Sequence, residues 1–256
     1  MKAVILAGGL GTRIAEESSV RPKPMVSIGS QPILWHIMKI YESSGITDFI
    51  ICLGFKGEVI KQYFLDYRER HSNFIVDTHS GDVTLLSLPN EKWKVTLVDT
   101  GLNSNTGERL RRTREFLNGE ANFCLTYGDG LTDARISDLI KFHEDHGKLA
   151  TLLAVKPTAR FGNLRMKNTQ IHVFEEKDPN EAQLVSGGFF VLKNEVLNLI
   201  PSNNASWEKD VCPGLASRNE LQGYLHHGFW HPMDNLHDSQ HLNNLWESGS
   251  PPWLAK

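Results

Sequence analysis

The sequence predicts an α/β fold: a mostly parallel central sheet flanked by helices, with a small antiparallel subregion. Three observations predict it. Residues 3–7 (AVILA) form a short apolar run cut off by Gly8-Gly9-Leu10-Gly11, the pattern of a buried strand ending in a tight turn. Strand and helix patterns then alternate with short turns between them, which argues for parallel strands covered on both faces. From residue 73 the helical spacing lapses and short β-rich runs follow one another, as in an antiparallel excursion.

The elements follow in order. Pro32 opens a helix whose Ile33, Leu34, Ile37, Met38 and Tyr41 fall at helical spacing, and Gly45 closes it. Residues 49–53 are the next strand, and Val59, Ile60, Tyr63, Phe64 and Tyr67 mark a second helix. Residues 74–76, 83–88 and 93–98 read as strands with polar turns between, all assigned to the excursion. A mostly polar loop, 99–107, leads through Glu108 into Arg109, while Arg111, Arg112 and Arg114 suit a solvated helix face. Residues 123–127 are a strand ended by Gly128-Asp129-Gly130. Asp133 is expected to cap the helix carrying Ile136, Leu139, Ile140 and His143. Residues 149–155 form a strand, 164–174 a hairpin, and 184–192 a strand interrupted by Gly187-Gly188. Asn194 is expected to cap a short helix ending at Ile200. A strand near 223–226 precedes a helix beginning near Asp234, with Leu242, Leu245 and Trp246 inward, and Pro251-Pro252 stops it. With no repeat, low-complexity segment or linker, the 256 residues are expected to form one domain. The 73–98 excursion and a C-terminal helical segment near 234–256 are its appendages.

Charge excludes some functions. The chain has 27 basic and 30 acidic residues, so no long-range field directs it to nucleic acid or a membrane. Cys52, Cys124 and Cys212 are widely spaced, and the first two lie in apolar runs, as buried thiols in a reducing compartment do. The N-terminal apolar run is too short for a signal peptide and no stretch could span a bilayer, so a soluble, cytoplasmic protein is expected.

The chemistry begins at the glycine turn. A strand, a glycine turn and the cations Arg13 and Lys23 make a cradle for phosphate, because free backbone N–H groups and positive charge converge. It is not a P-loop, since no lysine follows the glycines in time. Nor is it the dinucleotide fingerprint, because Ile14 stands three places after Gly11. Asp129, at the mouth of a strand between two glycines, suits a Mg²⁺ bound to substrate phosphates. The i, i+4 pair His237 and His241 is followed in its turn by Asp238 rather than the Glu of a zinc motif. A surface or packing role is therefore expected for these and for His226, His227 and His231.

The segments L-A-G-G-L-G-T-R and R-P-K-P-M resemble the signature of the sugar-1-phosphate nucleotidylyltransferases, and residues 26–39 resemble its cytidylyl branch. The resemblance runs through several separated motifs from residue 1 to about 238. It implies a Rossmann-like, GT-A-like fold and transfer of a cytidylyl group from CTP to α-D-glucose 1-phosphate, giving CDP-glucose and pyrophosphate. By the same resemblance Arg13 holds the β,γ-phosphates, Lys23 the α-phosphate and Lys177 the attacking sugar phosphate. Leu6, Ala7, Gly8, Gly9, Leu10, Gly11 and Thr12 cradle the nucleotide, and Ser104, Arg109 and Gly128 complete its site. Glu176 takes sugar hydroxyls, Gly188 lets the sugar approach the backbone, and Asp129 with Asp234 binds Mg²⁺. Asp99 and Asp238 are the less favoured second carboxylates, and a helix N-cap is the other reading of Asp234.

The match has departures. Ser104 stands where threonine is usual, Glu108 where glycine is usual, and Asp178 separates Lys177 from Pro179. On composition alone Glu176 and Lys177 read as a solvated turn. The family also implies homo-oligomers, a hexamer among them, and a product used for dideoxysugars of bacterial lipopolysaccharide. The rival readings are a uridylyl- or thymidylyltransferase and a non-catalytic regulatory subunit. The intact set Arg13, Lys23, Asp129, Lys177 and Asp234 speaks against the second.

Overall fold

In strand β1 (Ala3–Leu6) all four residues are buried, and they alternate: Ala3 and Ile5 join one apolar cluster, Val4 and Leu6 another. Strand β2 (Asp48–Leu53) repeats the pattern, with Phe49, Ile51 and Leu53 on one face and Ile50 and Cys52 on the other. Side chains alternate along a strand, so apolar residues at every position demand a cover on both faces. Helix α1 (Ile33–Glu42) supplies cover on the first face through Ile33, Leu34, Ile37 and Met38. The computed structural model describes residues 1–10, 21–157, 163–167, 170–175 and 183–254.

Helix α2 (Gly57–Leu65) follows β2, and a separate turn of helix, Tyr67–Arg70, replaces the expected continuation. Strand β3 (Lys94–Asp99) corrects one expectation. It does not belong to the antiparallel excursion but pairs parallel with β2, from Asp48↔Lys94 to Leu53↔Asp99. Val95 and Leu97 pack on the core cluster, and that burial draws the strand to the main sheet. The excursion itself is the hairpin Phe74–Val76 with Val83–Leu85, whose Phe74, Ile75, Val76 and Val83 are exposed and Leu85 half-buried.

Helix α3 (Thr106–Arg111) then carries the chain back across the sheet to β4 (Asn122–Tyr127), which lies on the other side of β1. Helix α4 (Ile136–His146), β5 (Ala150–Val155), β6 (Val185–Lys193), β7 (Leu221–His226) and α5 (Leu236–Glu247) complete it. Among the described residues the main sheet has seven strands in the order β7-β5-β6-β4-β1-β2-β3. Only β6 runs antiparallel to its neighbours. The segments Asn163–Lys167 and Gln170–Glu175 pair as the expected hairpin.

Three capping expectations change. Arg135, not Asp133, precedes α4, and Asp133 instead binds His226 Nε2 at 2.7 Å. Lys193 precedes the 3-10 helix Asn194–Leu199, while the Asn194 amide donates to Leu117 O and Glu120 O. Asn235 caps α5 through a capping box with Asp238, so Asp234 stands outside the helix. Beyond α5, Trp253 is buried and its Nε1–H donates to His36 Nδ1 at 3.1 Å. Among the described residues no helix is long and apolar enough to cross a membrane.

Candidate active site

Strand order reverses at β1: β2 and β3 lie on one side, β4 on the other. Chains leaving the carboxyl ends of β1 and β4 therefore diverge, and a crevice opens where such sheets bind ligands. A cavity of about 620 Å³ lies there, lined by Leu6 to Leu10, Lys23, Pro24, the 102–106 loop, Arg109, Tyr127 to Asp129, and Asp234. A second, of about 210 Å³, shares Tyr127, Asp129 and Asp234 with it and adds Gly187, Gly188 and Trp230. Leu6, Ala7, Gly8, Gly9, Leu10, Lys23, Ser104, Arg109, Gly128, Asp129 and Asp234 thus share one cavity, and Gly188 lies in its neighbour. Gly11, Thr12, Arg13, Glu176 and Lys177 lie outside the described residues.

Lys23 begins the 3-10 turn Lys23–Met25. Its Nζ meets Asp129 Oδ2 at 2.6 Å and Asp234 Oδ1 at 2.9 Å. Two residues far apart in sequence reach one ammonium because Gly130–Thr132 pairs antiparallel with Trp230–Pro232. The ladder extends through Met233 N–H to Asp129 O at 2.8 Å, which sets Asp234 beside Asp129. Asp238 holds the turn from behind, accepting the N–H groups of Asp234 at 2.9 Å and Asn235 at 3.1 Å. Asp238, one of the less favoured metal carboxylates, therefore supports Asp234. The other, Asp99, accepts from Gly101 N–H. Burial works against the Lys23 charge, but attraction and hydrogen bonds from Asp129 and Asp234 outweigh it and raise its pKa.

Arg109 lines the cavity and binds its wall. Its terminal nitrogens donate to Leu53 O, Thr100 Oγ1, Gly101 O, Gly8 O and Leu102 O at 2.8 to 3.1 Å. Its N–H groups hold the cavity wall together. Gly8 is required by that contact, since a Cβ there would lie 2.2 Å from Arg109 Nη1. Glu108, which stands where the resembled family usually has glycine, is bound by Arg111 at 2.7 Å and Arg112 at 2.8 Å. The bonds from Arg111, then from Arg112, outweigh burial and push its pKa down to about 2. The Ser104 hydroxyl donates to Thr100 O and fixes the loop.

The carboxylates suit a hard cation. Their oxygens converge on a single positive charge, as oxygen ligands of Mg²⁺ must. Among the described residues no cluster of three His, Cys, Asp or Glu could hold a metal ion. His226 binds Asp133, and His231 meets Asp238 at 3.2 Å and packs on His241. Sequence reasoning missed Tyr127, Thr106, Trp230 and Pro24 in the walls. For Tyr127 a signal existed: it ends β4, two residues before Asp129.

Fold and site together define a nucleotidyltransferase. Residues 2–244 match the family model described as nucleotidyl transferase, and the chain belongs to that family. A glucose-1-phosphate cytidylyltransferase of Salmonella typhimurium (strain LT2) is 49% identical over 262 residues, covering 99% of this chain and 98% of that protein. A Bacillus subtilis protein named "Probable glucose-1-phosphate cytidylyltransferase" is 40% identical over 254 residues, 99% of each chain. A UDP-glucose pyrophosphorylase complexed with UDP-glucose has the same fold, with a TM-score of 0.68 at 15% identity, covering 97% of this chain and 98% of that one.

Proposed function

We propose that the protein transfers a cytidylyl group from CTP to α-D-glucose 1-phosphate, forming CDP-glucose and pyrophosphate. The observation that carries this is the meeting of Lys23, Asp129 and Asp234 at the strand-order reversal, in a chain 49% identical to a glucose-1-phosphate cytidylyltransferase. The attacking oxygen of a sugar phosphate is already anionic, so the reaction needs no general base. What it needs is alignment for in-line attack and relief of repulsion between two anions.

The chain supplies both. Main-chain groups from Leu6 to Leu10 border the larger cavity and hold the nucleotide. The smaller cavity, with Gly187, Gly188 and Trp230, takes the hexose. Tyr127, Asp129 and Asp234, shared by both, mark where the two phosphates meet. Lys23 turns its charge from the aspartates to the α-phosphate, while Arg13 and Lys177 take the departing pyrophosphate and the sugar phosphate. Asp129 and Asp234 would hold Mg²⁺, which supplies charge neutralisation to the phosphates when bound. Assembly as a homo-oligomer, checked by mass in solution, and residence in the cytoplasm, where both substrates are made, belong to this reading.

The test is pyrophosphate release with Mg²⁺ and glucose 1-phosphate, offering CTP, UTP, dTTP, ATP and GTP separately. Release mainly with CTP is expected. Release mainly with another nucleotide would keep the reaction class and discard the base.

A further inference from the structure

Glu208 lies on the single-turn π-helix Trp207–Val211, among none of the residues that the sequence singled out. Three hydroxyls converge on its carboxylate. Tyr127 Oη donates to Oε1 at 2.5 Å, Thr106 Oγ1 to Oε2 at 2.6 Å and Ser206 Oγ to Oε2 at 2.7 Å. Burial opposes the Glu208 charge, but bonds from Thr106, Tyr127 and Ser206 outweigh it and hold the pKa below the ordinary value. An ionised carboxylate only accepts, so each hydroxyl must give it its proton.

The consequence differs among the three. Thr106 Oγ1 also accepts Trp207 N–H at 2.9 Å, and Ser206 Oγ accepts Lys209 N–H at 3.2 Å. Among the described residues no donor reaches Tyr127 Oη. Tyr127 lines both cavities. Its ring is fixed on one side by Gly188, which has φ +80° and where a Cβ would lie 2.6 Å from Tyr127 Cδ2. Its tip is fixed by Glu208.

We propose that Glu208 is a positioning residue that holds the Tyr127 hydroxyl as an obligate acceptor at the junction of the two cavities, for an O–H group of a bound substrate. The donor is a ribose or a hexose hydroxyl. This rests on the two-cavity assignment of nucleotide and sugar made above. The competing account is that Glu208 only ties the 102–106 loop to the π-helix.

The test is a double-mutant cycle of Glu208→Gln and Tyr127→Phe, read as KM and kcat for CTP and for glucose 1-phosphate. Glutamine keeps the shape but has one acceptor oxygen, and its amide N–H groups free the tyrosine proton. Losing one such bond should raise the KM of one substrate about tenfold and leave kcat within about twofold. The double variant should be no worse than Tyr127→Phe alone. Movement of the CTP KM identifies ribose, and movement of the glucose 1-phosphate KM identifies the hexose. Unchanged KM values, or penalties that multiply in the double variant, overturn the proposal. So does a lowered Tm with no change in either KM. If wild type turns over no nucleotide, the proposed reaction falls separately. The same cycle read as Kd by calorimetry, with CTP and glucose 1-phosphate each alone, then decides: non-additive weakening supports the proposal, and additive or absent weakening overturns it.

Discussion

Arg109 braces the wall of the site that it lines. Its fork of donors meets acceptors on the β1 turn, the end of β2 and the loop after β3, tying three segments at the cavity floor. A lysine offers fewer donors on a narrower head, so Arg109→Lys leaves buried carbonyls unmatched and should cost about 2–4 kcal/mol. Urea denaturation measures this, and an unmoved midpoint would show that the contacts carry no stability. In the proposed function Lys23 directs its charge at the reacting groups. Lys23→Ala should lower kcat on the order of 10²-fold. It also removes the Lys23 charge from between Asp129 and Asp234, so Mn²⁺ followed by paramagnetic resonance without nucleotide should bind tighter than to wild type. Weaker or equal binding would mean that the aspartates do not share one cation position. Lys23 and Asp129 are legible in the sequence because charged residues at strand-end turns announce themselves, whereas Asp234 is legible only through the family resemblance, since by residue type and place it reads as a helix N-cap. The partners of Arg109 are not, because backbone carbonyls leave no trace in side-chain pattern. Glu208 is hidden for a related reason: its hydroxyl partners Tyr127 and Thr106 come from distant segments.

At the scale of elements, the ends of β1 and β4 and the small ladder between Gly130–Thr132 and Trp230–Pro232 build the site. Residue periodicity locates the strands of the main sheet but not their neighbours. Strand β3 looks like a member of the antiparallel excursion because its burial is only partial, and its place beside β2 depends on pairing. Caps are also poorly legible. Asp133 has the right residue type and distance to begin α4 but is drawn to His226, a long-range partner that competes with the local one. Asp238 is the cap with functional weight, since it holds Asp234 N–H, Asn235 N–H and His231 together. Asp238→Ala should cost about 1–2 kcal/mol of stability. It should also weaken Mn²⁺ binding, because the Asp234 turn loosens. A variant that loses stability but binds Mn²⁺ as wild type does would separate the cap from the site.

At the scale of the molecule, the C-terminal segment is tied to α1 through His36, which lies fully buried. Its Nε2–H donates to Ile28 O at 3.0 Å while Nδ1 accepts from Trp253, an arrangement open only to neutral imidazole. Burial, opposed by bonds to the Ile28 and Gln31 backbone, pushes its pKa down to about 4. His143, whose Nδ1 lies 2.8 Å from Thr151 Oγ1, is pushed by burial to the same value. Both histidines protonate near 6.5 when unfolded, so the unfolded chain binds protons first. Their contribution is complete above pH 6.5 and declines as pH falls toward 4, by on the order of 2 kcal/mol each at pH 5. Urea midpoints at pH 7 and 5 should differ accordingly, and His36→Gln should reduce the difference. An undiminished difference would remove His36 from the account. The doubly covered sheet and the reversal at β1 open a crevice between strand ends, and the proposed cytidylyl transfer belongs there. The direct measurement is to follow CTP labelled at the α-phosphorus, with glucose 1-phosphate and Mg²⁺. The label is expected to pass into CDP-glucose and to leave none in pyrophosphate. Label that stays in CTP, or that is released as CMP with no sugar nucleotide formed, would contradict the proposed transfer.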